Sequence, residues 1–287
     1  MGFGERGACR PGEGERRGRG PLRVTQRRHH PGRQVDFPLY RGPEPVRLAF
    51  FSDVHANWEA LSAVLEDFAR QSVERSFFLG DAVGYGADPN PCVKAICEAT
   101  KVRLMGNHDY AALGQIETSQ FNQYARLSIE WTKEVLTAES IQLLSGFTVQ
   151  EELEDFHLVH ATPKNPLEWE YLLDLDDAEE NFDYFSKPVC LIGHSHKPLI
   201  VRKRKEEHAA LFPESSVVLE PGWRYILNIG SVGQPRDGNP KACYLLYDTE
   251  SREARLVRVA YDVAAAQKKM KALKLPEYLI ERISAGR

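Results

Sequence analysis

No apolar run in this 287-residue chain approaches the ~20 residues that a membrane-spanning helix needs. The N-terminus also lacks an apolar stretch of signal-peptide length, so neither insertion nor secretion is expected. Cysteine is scarce. The five are scattered without a C-x-x-C pair, and Cys92 and Cys97 are five apart. That spacing suits neither a zinc knuckle nor a redox couple, and the reading is free thiols in a reducing cytoplasm. Internal repeats are absent. A basic surplus is missing from most of the chain as well. The net charge is −4, and residues 1–45 alone hold ten Arg, no Lys and five acids. Residues 46–287 therefore carry 27 basic against 36 acidic residues, a balance of −9. A body of that sign is no general nucleic-acid binder, which leaves only the N-terminal tail for such contact.

Residues 1–45 are rich in Gly, Arg and Pro and show neither helical nor strand periodicity. They read as a disordered tail, because such a composition cannot bury enough surface to offset ordering entropy. An Arg-Gly tail could touch RNA or acidic lipid, or be an extension without a role. It contains acids and no Ser, which argues against a transit peptide.

With 42% hydrophobic residues the chain can fill a sizeable core, and residues 46–287 read as one domain. Short apolar runs predict strands at Val46–Phe51, Ser76–Leu79, Val102–Met105, Phe156–Val159, Val189–Ile192, Tyr225–Ile229 and Ala242–Tyr247. Ala254–Tyr261 alternates as a hairpin partner to the last of these across Asp248–Ser251. Helical spacing marks 57–70, 89–97, 121–144 in two segments, 263–273 and 277–284. Strands alternating with helices, then strand-rich sequence, imply an α/β fold: two packed sheets with helices outside, a four-layer α-β-β-α sandwich.

The chemistry is concentrated where the apolar runs stop. Asp53-x-His55, Gly80-Asp81, Gly106-Asn107-His108-Asp109, His160 and Gly193-His194-Ser195-His196 each follow such a run. One sheet edge could gather these side chains. Asp53, His55, Asp81, Asn107, His160, His194 and His196 offer only oxygen and nitrogen donors, which suits two divalent ions (Mn²⁺, Fe, Ni²⁺ or Zn²⁺) rather than a thiolate cage. A carboxylate at Asp81 could bridge them. Paired cations bring a bridging water to a near-neutral pKa, ready to attack phosphorus. His157 reads instead as an ordinary sheet residue, and His208 as solvent-exposed. Trp169 and Tyr171 read either as a stacking wall for a nucleotide base or as core plugs.

Residues 46–287 resemble the calcineurin-like metallophosphoesterase superfamily. The similarity is strongest to a bacterial and archaeal branch related to diadenosine tetraphosphatases and serine/threonine phosphatases. It rests on the blocks above, on Ser52-Asp53-Val54-His55-Ala56-Asn57 and Gly80-Asp81-Ala82-Val83-Gly84-Tyr85-Gly86, and on Gly230-Ser231-Val232-Gly233-Gln234-Pro235-Arg236-Asp237-Gly238. The resemblance implies one metal on Asp53, His55, Asp81 and His196, and a second on Asp81, Asn107, His160 and His194. It implies catalytic roles for His108, as general acid or positive contact to phosphate, and for Asp109, hydrogen-bonded to the His108 imidazole. One departure stands out. Protein phosphatases and symmetrical diadenosine tetraphosphatases carry Gly-Asp-x-Val-Asp-Arg-Gly, and here Gly84 and Tyr85 replace that Asp and Arg. The bidentate Arg clamp is missing there, leaving Tyr85 and Arg236 as candidate substrate contacts. The expected activity is metal-dependent hydrolysis of a small phosphate ester, a phosphodiester or a nucleotide pyrophosphate linkage. Alternatives are a phosphoprotein phosphatase, a non-catalytic scaffold on the same fold, or an RNA-associated hydrolase recruited by the tail.

Overall fold

The structure is a computed structural model that describes residues 1–2 and 45–287. The disordered tail expected over residues 1–45 lies, apart from its ends, outside the described residues. Strand β1 (Arg47–Phe51) sets the plan of the rest. Its side chains alternate between two faces, as the strand period of two requires. Leu48 and Phe50 enter a core shared with the second sheet, while Ala49 and Phe51 enter a core shared with helices. Burial on both faces is why the strand reads as an unbroken apolar run.

Five further strands join β1: β2 (Val73–Phe78), β3 (Thr100–Arg103), β9 (Ser216–Val218), β11 (Ala242–Asp248) and β12 (Glu253–Val259). Their order is β3-β2-β1-β11-β12-β9, with the first three parallel and the rest antiparallel. The second sheet contains β4 (Gln150–Glu152), β5 (Phe156–Val159), β6 (Val189–Ile192), β7 (Leu199–Arg204), β8 (Ala210–Phe212) and β10 (Trp223–Asn228). Its order is β4-β5-β6-β10-β7-β8, and β5, β6 and β10 run parallel. Phe50, Phe77, Phe156, Leu191, Tyr225 and Leu227 pack between the sheets, with the Phe50 and Phe77 rings stacked at 4.8 Å.

Helices cover the outer faces. On the first sheet, α1 (Trp58–Arg70) buries Leu61, Val64 and Phe68, and α2 (Pro89–Ala99) buries Val93 and Ile96. Pro89 at the first turn of α2 sacrifices no hydrogen bond that a helix start would use. On the second sheet, Ala178 of α6 (Leu175–Asn181) and Phe182 pack with Val159, Cys190, Ile192 and Ile226. The expected α-β-β-α sandwich is what the described residues form. The 121–144 region divides as expected, into α4 (Gln123–Val135) and α5 (Ala138–Leu144), because Thr137 caps the second helix by accepting from the Ser140 N–H at 3.2 Å. Helices α7 (Val263–Ala272) and α8 (Glu277–Ala285) close the chain.

Several short elements escaped the sequence reading, among them the strands β4, β8 and β9, helix α6, and α3 (Asn107–Ala112). So did β7, whose six residues are half apolar and half basic. The strands β4, β8 and β9 have three residues each, too few to show a period. His157 is a buried sheet residue on β5, its Nδ1 3.5 Å from a Glu152 carboxylate oxygen of β4, and His208 is exposed. Cys92, Cys97, Cys190 and Cys243 are free thiols. Among the described residues no helix is long and apolar enough to cross a membrane.

Candidate metal centre

All parallel strands of both sheets end toward one edge, and the turns after them are stitched together by main-chain hydrogen bonds. Asp53 N–H donates to Gly80 O at 2.9 Å and His55 N–H to Asp81 O at 3.0 Å, joining the turns after β1 and β2. Val232 N–H donates to Ser52 O at 3.0 Å and Gly233 N–H to Asp53 O at 2.9 Å, joining the turn after β10 to the turn after β1. Asn57 ties both: its Oδ1 caps α1 and its Nδ2 donates to Gly233 O at 2.8 Å. Ligand crevices of α/β sheets form at such carboxyl ends. The turns are tight enough that Asp53, His55, Asp81, His194 and His196 all have positive φ, between 49° and 63°. Each such residue costs about 1–3 kcal/mol, a strain that persists where the surroundings over-determine it and that clusters at functional sites.

Four imidazoles converge there with their tautomers set by carbonyls. His55 Nδ1 donates to Val83 O (3.1 Å), His196 Nδ1 to Gln234 O (2.6 Å) and His160 Nδ1 to Leu79 O (2.8 Å). His194 is turned the other way, its Nε2 donating to Trp169 O at 2.9 Å. With one ring nitrogen of each committed as a donor, the other is the atom that faces the cluster. The Nε2 atoms of His55 and His196 then face each other at 3.0 Å. Two lone pairs at that distance repel, and a shared cation is what turns the contact into an attraction. Outer-shell carbonyls of this kind orient metal-ligating imidazoles.

Carboxylates complete the set. Asp53 Oδ1 lies 3.2 Å from His196 Nε2 and 3.7 Å from His55 Nε2, and Asp81 Oδ2 lies 3.4 Å from His160 Nε2 and 3.6 Å from His55 Nε2. Their second oxygens are used locally: Asp53 Oδ2 accepts the His194 N–H at 3.1 Å and Asp81 Oδ1 the His108 N–H at 2.9 Å. Asp53 Oδ1, Asn107 Oδ1 and His160 Nε2 are buried without a hydrogen-bond partner. Burial opposes ionisation of both aspartates, yet the surrounding histidines outweigh it and hold both carboxyls below the usual range. Burial draws His194 down to about 4 and His196 to about 3, while Asp81 and Asp53 overcome burial at His160 and push it up to about 9. Neutral imidazoles at His194 and His196, unpaired buried acceptors and ionised carboxylates are together a donor set that a pair of divalent cations fits, and at His160 a cation would take the place of the proton that Asp81 and Asp53 hold there. Asp53, His55 and His196 form one compact group of ligand atoms, and Asp81, His160 and His194 another.

Asp109 corrects an expectation. It makes no hydrogen bond to His108. Its carboxylate accepts instead from the N–H groups of Asp81 (2.9 Å), Ala82 (2.9 Å), Val83 (3.2 Å) and Gly106 (3.0 Å). The position of Asp109 in the first turn of α3 explains the Gly106 bond, and the turn after β2 packed against that helix start supplies the other three N–H groups. Asp109 is a brace for the Asp81 turn. The His108 ring lies 4.8 Å from that of His55 and 4.4 Å from that of Tyr85, and its Nδ1 is buried without a partner. Burial lowers its pKa well below that of a free imidazole. Room for it depends on Gly84, where an added Cβ would stand 2.4 Å from His108 Nδ1.

The candidate substrate contacts lie together. Arg236 donates from one terminal nitrogen to Gln234 Oε1 (2.9 Å) and to the Tyr85 hydroxyl (3.4 Å). Tyr171 lies flat on His194, ring centroids 4.2 Å apart at 26°. Asn107, His108 and His194 open onto a cleft of about 600 Å³, also lined by Phe121, Trp169 and Tyr171. Trp169, expected as a stacking wall or a core plug, also contributes its carbonyl to His194, a role no sequence pattern marks, and one contributor was missed altogether. Asn228, a polar residue ending the apolar strand β10, donates to Gly193 O at 2.6 Å and to Ser195 Oγ at 3.0 Å, holding the histidine-bearing turn. A buried amide ending an apolar run was a usable signal.

The sequence profile of the Calcineurin-like phosphoesterase superfamily domain matches residues 46–252. The uncharacterized protein MJ0912 of Methanocaldococcus jannaschii is 39% identical over 244 residues, spanning 84% of this chain and 98% of that protein. A crystal structure of a metallophosphoesterase from Sphaerobacter thermophilus aligns with a TM-score of 0.74 at 37% identity, covering 84% of this chain and 99% of that one. The hypothetical protein PH1004 from Pyrococcus horikoshii shares the fold, with a TM-score of 0.68 at 19% identity over 84% of this chain and 99% of its own.

Proposed function

The chain belongs to the calcineurin-like phosphoesterase superfamily and is a metallophosphoesterase, and from that premise we propose that it hydrolyses phosphodiester or nucleotide pyrophosphate linkages. One cation would be held by Asp53, His55, Asp81 and His196, the other by Asp81, Asn107, His160 and His194. Bound there, such cations activate water near neutral pH and offset charge developing on phosphoryl oxygens. The observation that carries this reading is the 3.0 Å approach of the His55 and His196 Nε2 atoms, each with its Nδ1 proton committed to a carbonyl.

The chain's own groups divide the remaining work. His108 lines the cleft beside Asn107 and, kept neutral by burial, would stabilise the leaving oxygen through a ring N–H hydrogen bond. Arg236, braced by Gln234 and Tyr85, would contact a non-bridging phosphoryl oxygen. Asp109 holds the turn that carries Asp81. Tyr85 weighs toward a diester. A phosphomonoester is a dianion and gains from a second guanidinium, whereas a diester carries one charge, and here a phenol stands in place of that guanidinium.

Hydrolysis of bis(p-nitrophenyl) phosphate and p-nitrophenyl phosphate with Mn²⁺ tests the assignment. The diester should show the higher kcat/KM, by about tenfold or more, equivalent to about 1.4 kcal/mol. Preferential turnover of the monoester would overturn the diester reading. His108→Gln is expected to lower kcat on the diester by about 10²-fold. Metal content, read by atomic emission, should match wild type, since His108 is outside both proposed ligand sets. Loss of metal along with rate would make His108 a structural residue instead.

A further inference from the structure

The cleft beyond His108 is far larger than a phosphate group requires, at about 600 Å³, and its walls are of two kinds. Ile116, Phe121, Leu167 and Tyr171 are its apolar lining. The Phe121 ring stands edge-on to His108 at 5.3 Å, and Tyr171 lies flat on His194, so rings line the path out from both sides of the centre. Leu167 and Tyr171 are 50% and 48% exposed, apolar surface left to water beside a polar centre. An exposed apolar patch rimmed by polar groups marks a binding surface. The rim holds two acids, Glu117 and Glu168. Neither is paired with a cation among the described residues.

This combination selects a ligand. Carboxylates on the rim repel a second phosphate, so a polyphosphate chain is a poor occupant. Flat aromatic and branched aliphatic walls favour a planar ring. Carboxylate oxygens are acceptors only, and an exocyclic amino group on that ring supplies donors for them. Resting on the phosphodiester reading above, we propose that this cleft is a ring subsite that seats the amino-bearing nucleobase of one ester arm of the substrate. The base sits between the Phe121 and Tyr171 sides of the cleft and turns its amino edge to Glu117 and Glu168. The phosphoryl group meanwhile reaches the cluster through the His108 and His194 end of the cleft.

Isothermal titration of the full chain with Mn²⁺ present tests this with three ligands that share a phosphate: inorganic phosphate, ribose 5-phosphate and AMP. AMP should bind at least about tenfold tighter than ribose 5-phosphate, the gain that stacking one base brings. In the Ile116→Ala/Leu167→Ala double variant the ratio should fall to about threefold or less through weaker AMP binding. Equal affinity of AMP and ribose 5-phosphate in wild type, with phosphate binding and diester turnover intact, would overturn the ring subsite and leave the phosphodiesterase reading standing. An undiminished ratio in the folded double variant would also overturn it. Absence of both phosphate binding and diester turnover would bring down the underlying function, and the subsite with it.

Discussion

Replacing Asp81 by Asn is expected to lower kcat/KM for a chromogenic diester by about 10³-fold, equivalent to about 4 kcal/mol of transition-state stabilisation. Asp81 is the one residue placed in both proposed ligand sets. Its Oδ2 lies 3.4 Å from His160 Nε2 and 3.6 Å from His55 Nε2, between the two histidine groups. Asparagine keeps the size and one acceptor oxygen, so the His108 N–H bond to Oδ1 can survive. What it removes is the charge and the second anionic oxygen. A bridging role therefore predicts a large loss of rate together with a loss of bound metal. The check is steady-state kinetics with Mn²⁺ beside metal analysis of the purified variant. A loss of less than tenfold with two metals retained would show that Asp81 does not bridge.

Stripping metal from the protein with a chelator is expected to lower its melting temperature by about 10 °C or more. Two sites each saturated to about 100 times their dissociation constant contribute about 5 kcal/mol together, and each kcal/mol moves the midpoint of a domain this size by about 2–4 °C. The physical source is visible in the centre. Asp53 Oδ1, Asn107 Oδ1 and His160 Nε2 are buried without partners, and the His55 and His196 lone pairs oppose each other. A folded state without cations bears those costs alone, and the unfolded chain relieves them with water. Differential scanning calorimetry across a Mn²⁺ titration of chelator-treated protein measures the effect. Asp81→Asn should flatten the response. A melting temperature indifferent to chelation and to added Mn²⁺, Ni²⁺ or Zn²⁺ would remove the metal centre from the account.

Much of this was open to sequence reasoning, for an identifiable reason. Strands buried on both faces are written as continuous apolar runs, and β1, β5 and β6 were readable to within a residue. The residues at the carboxyl ends of such strands stand where chemistry is done in α/β folds, so Asp53, Asp81, Asn107, His160, His194 and His196 drew notice by position as much as by type. The same logic was weak for edge strands, where three residues carry no period. At Asp109 the resemblance implied a pair with His108, but neighbours on a helix project about 100° apart, and the N–H groups of the turn after β2 and of Gly106 captured the carboxylate.

The sequence by itself determined which side chains are on hand at the ends of the parallel strands, the α-β-β-α layering that brings those ends together, and the absence of thiolate from the donor set. Only the tertiary structure decided which way each donor faces. That choice rests with the carbonyls of Val83, Gln234, Leu79 and Trp169, which set one nitrogen of each imidazole as a donor and leave the other for a cation. Every residue has a carbonyl, so no pattern in the chain distinguishes these four. Their roles come from strand register, from left-handed turns and from loops crossing between two sheets, and those exist only once the chain has folded.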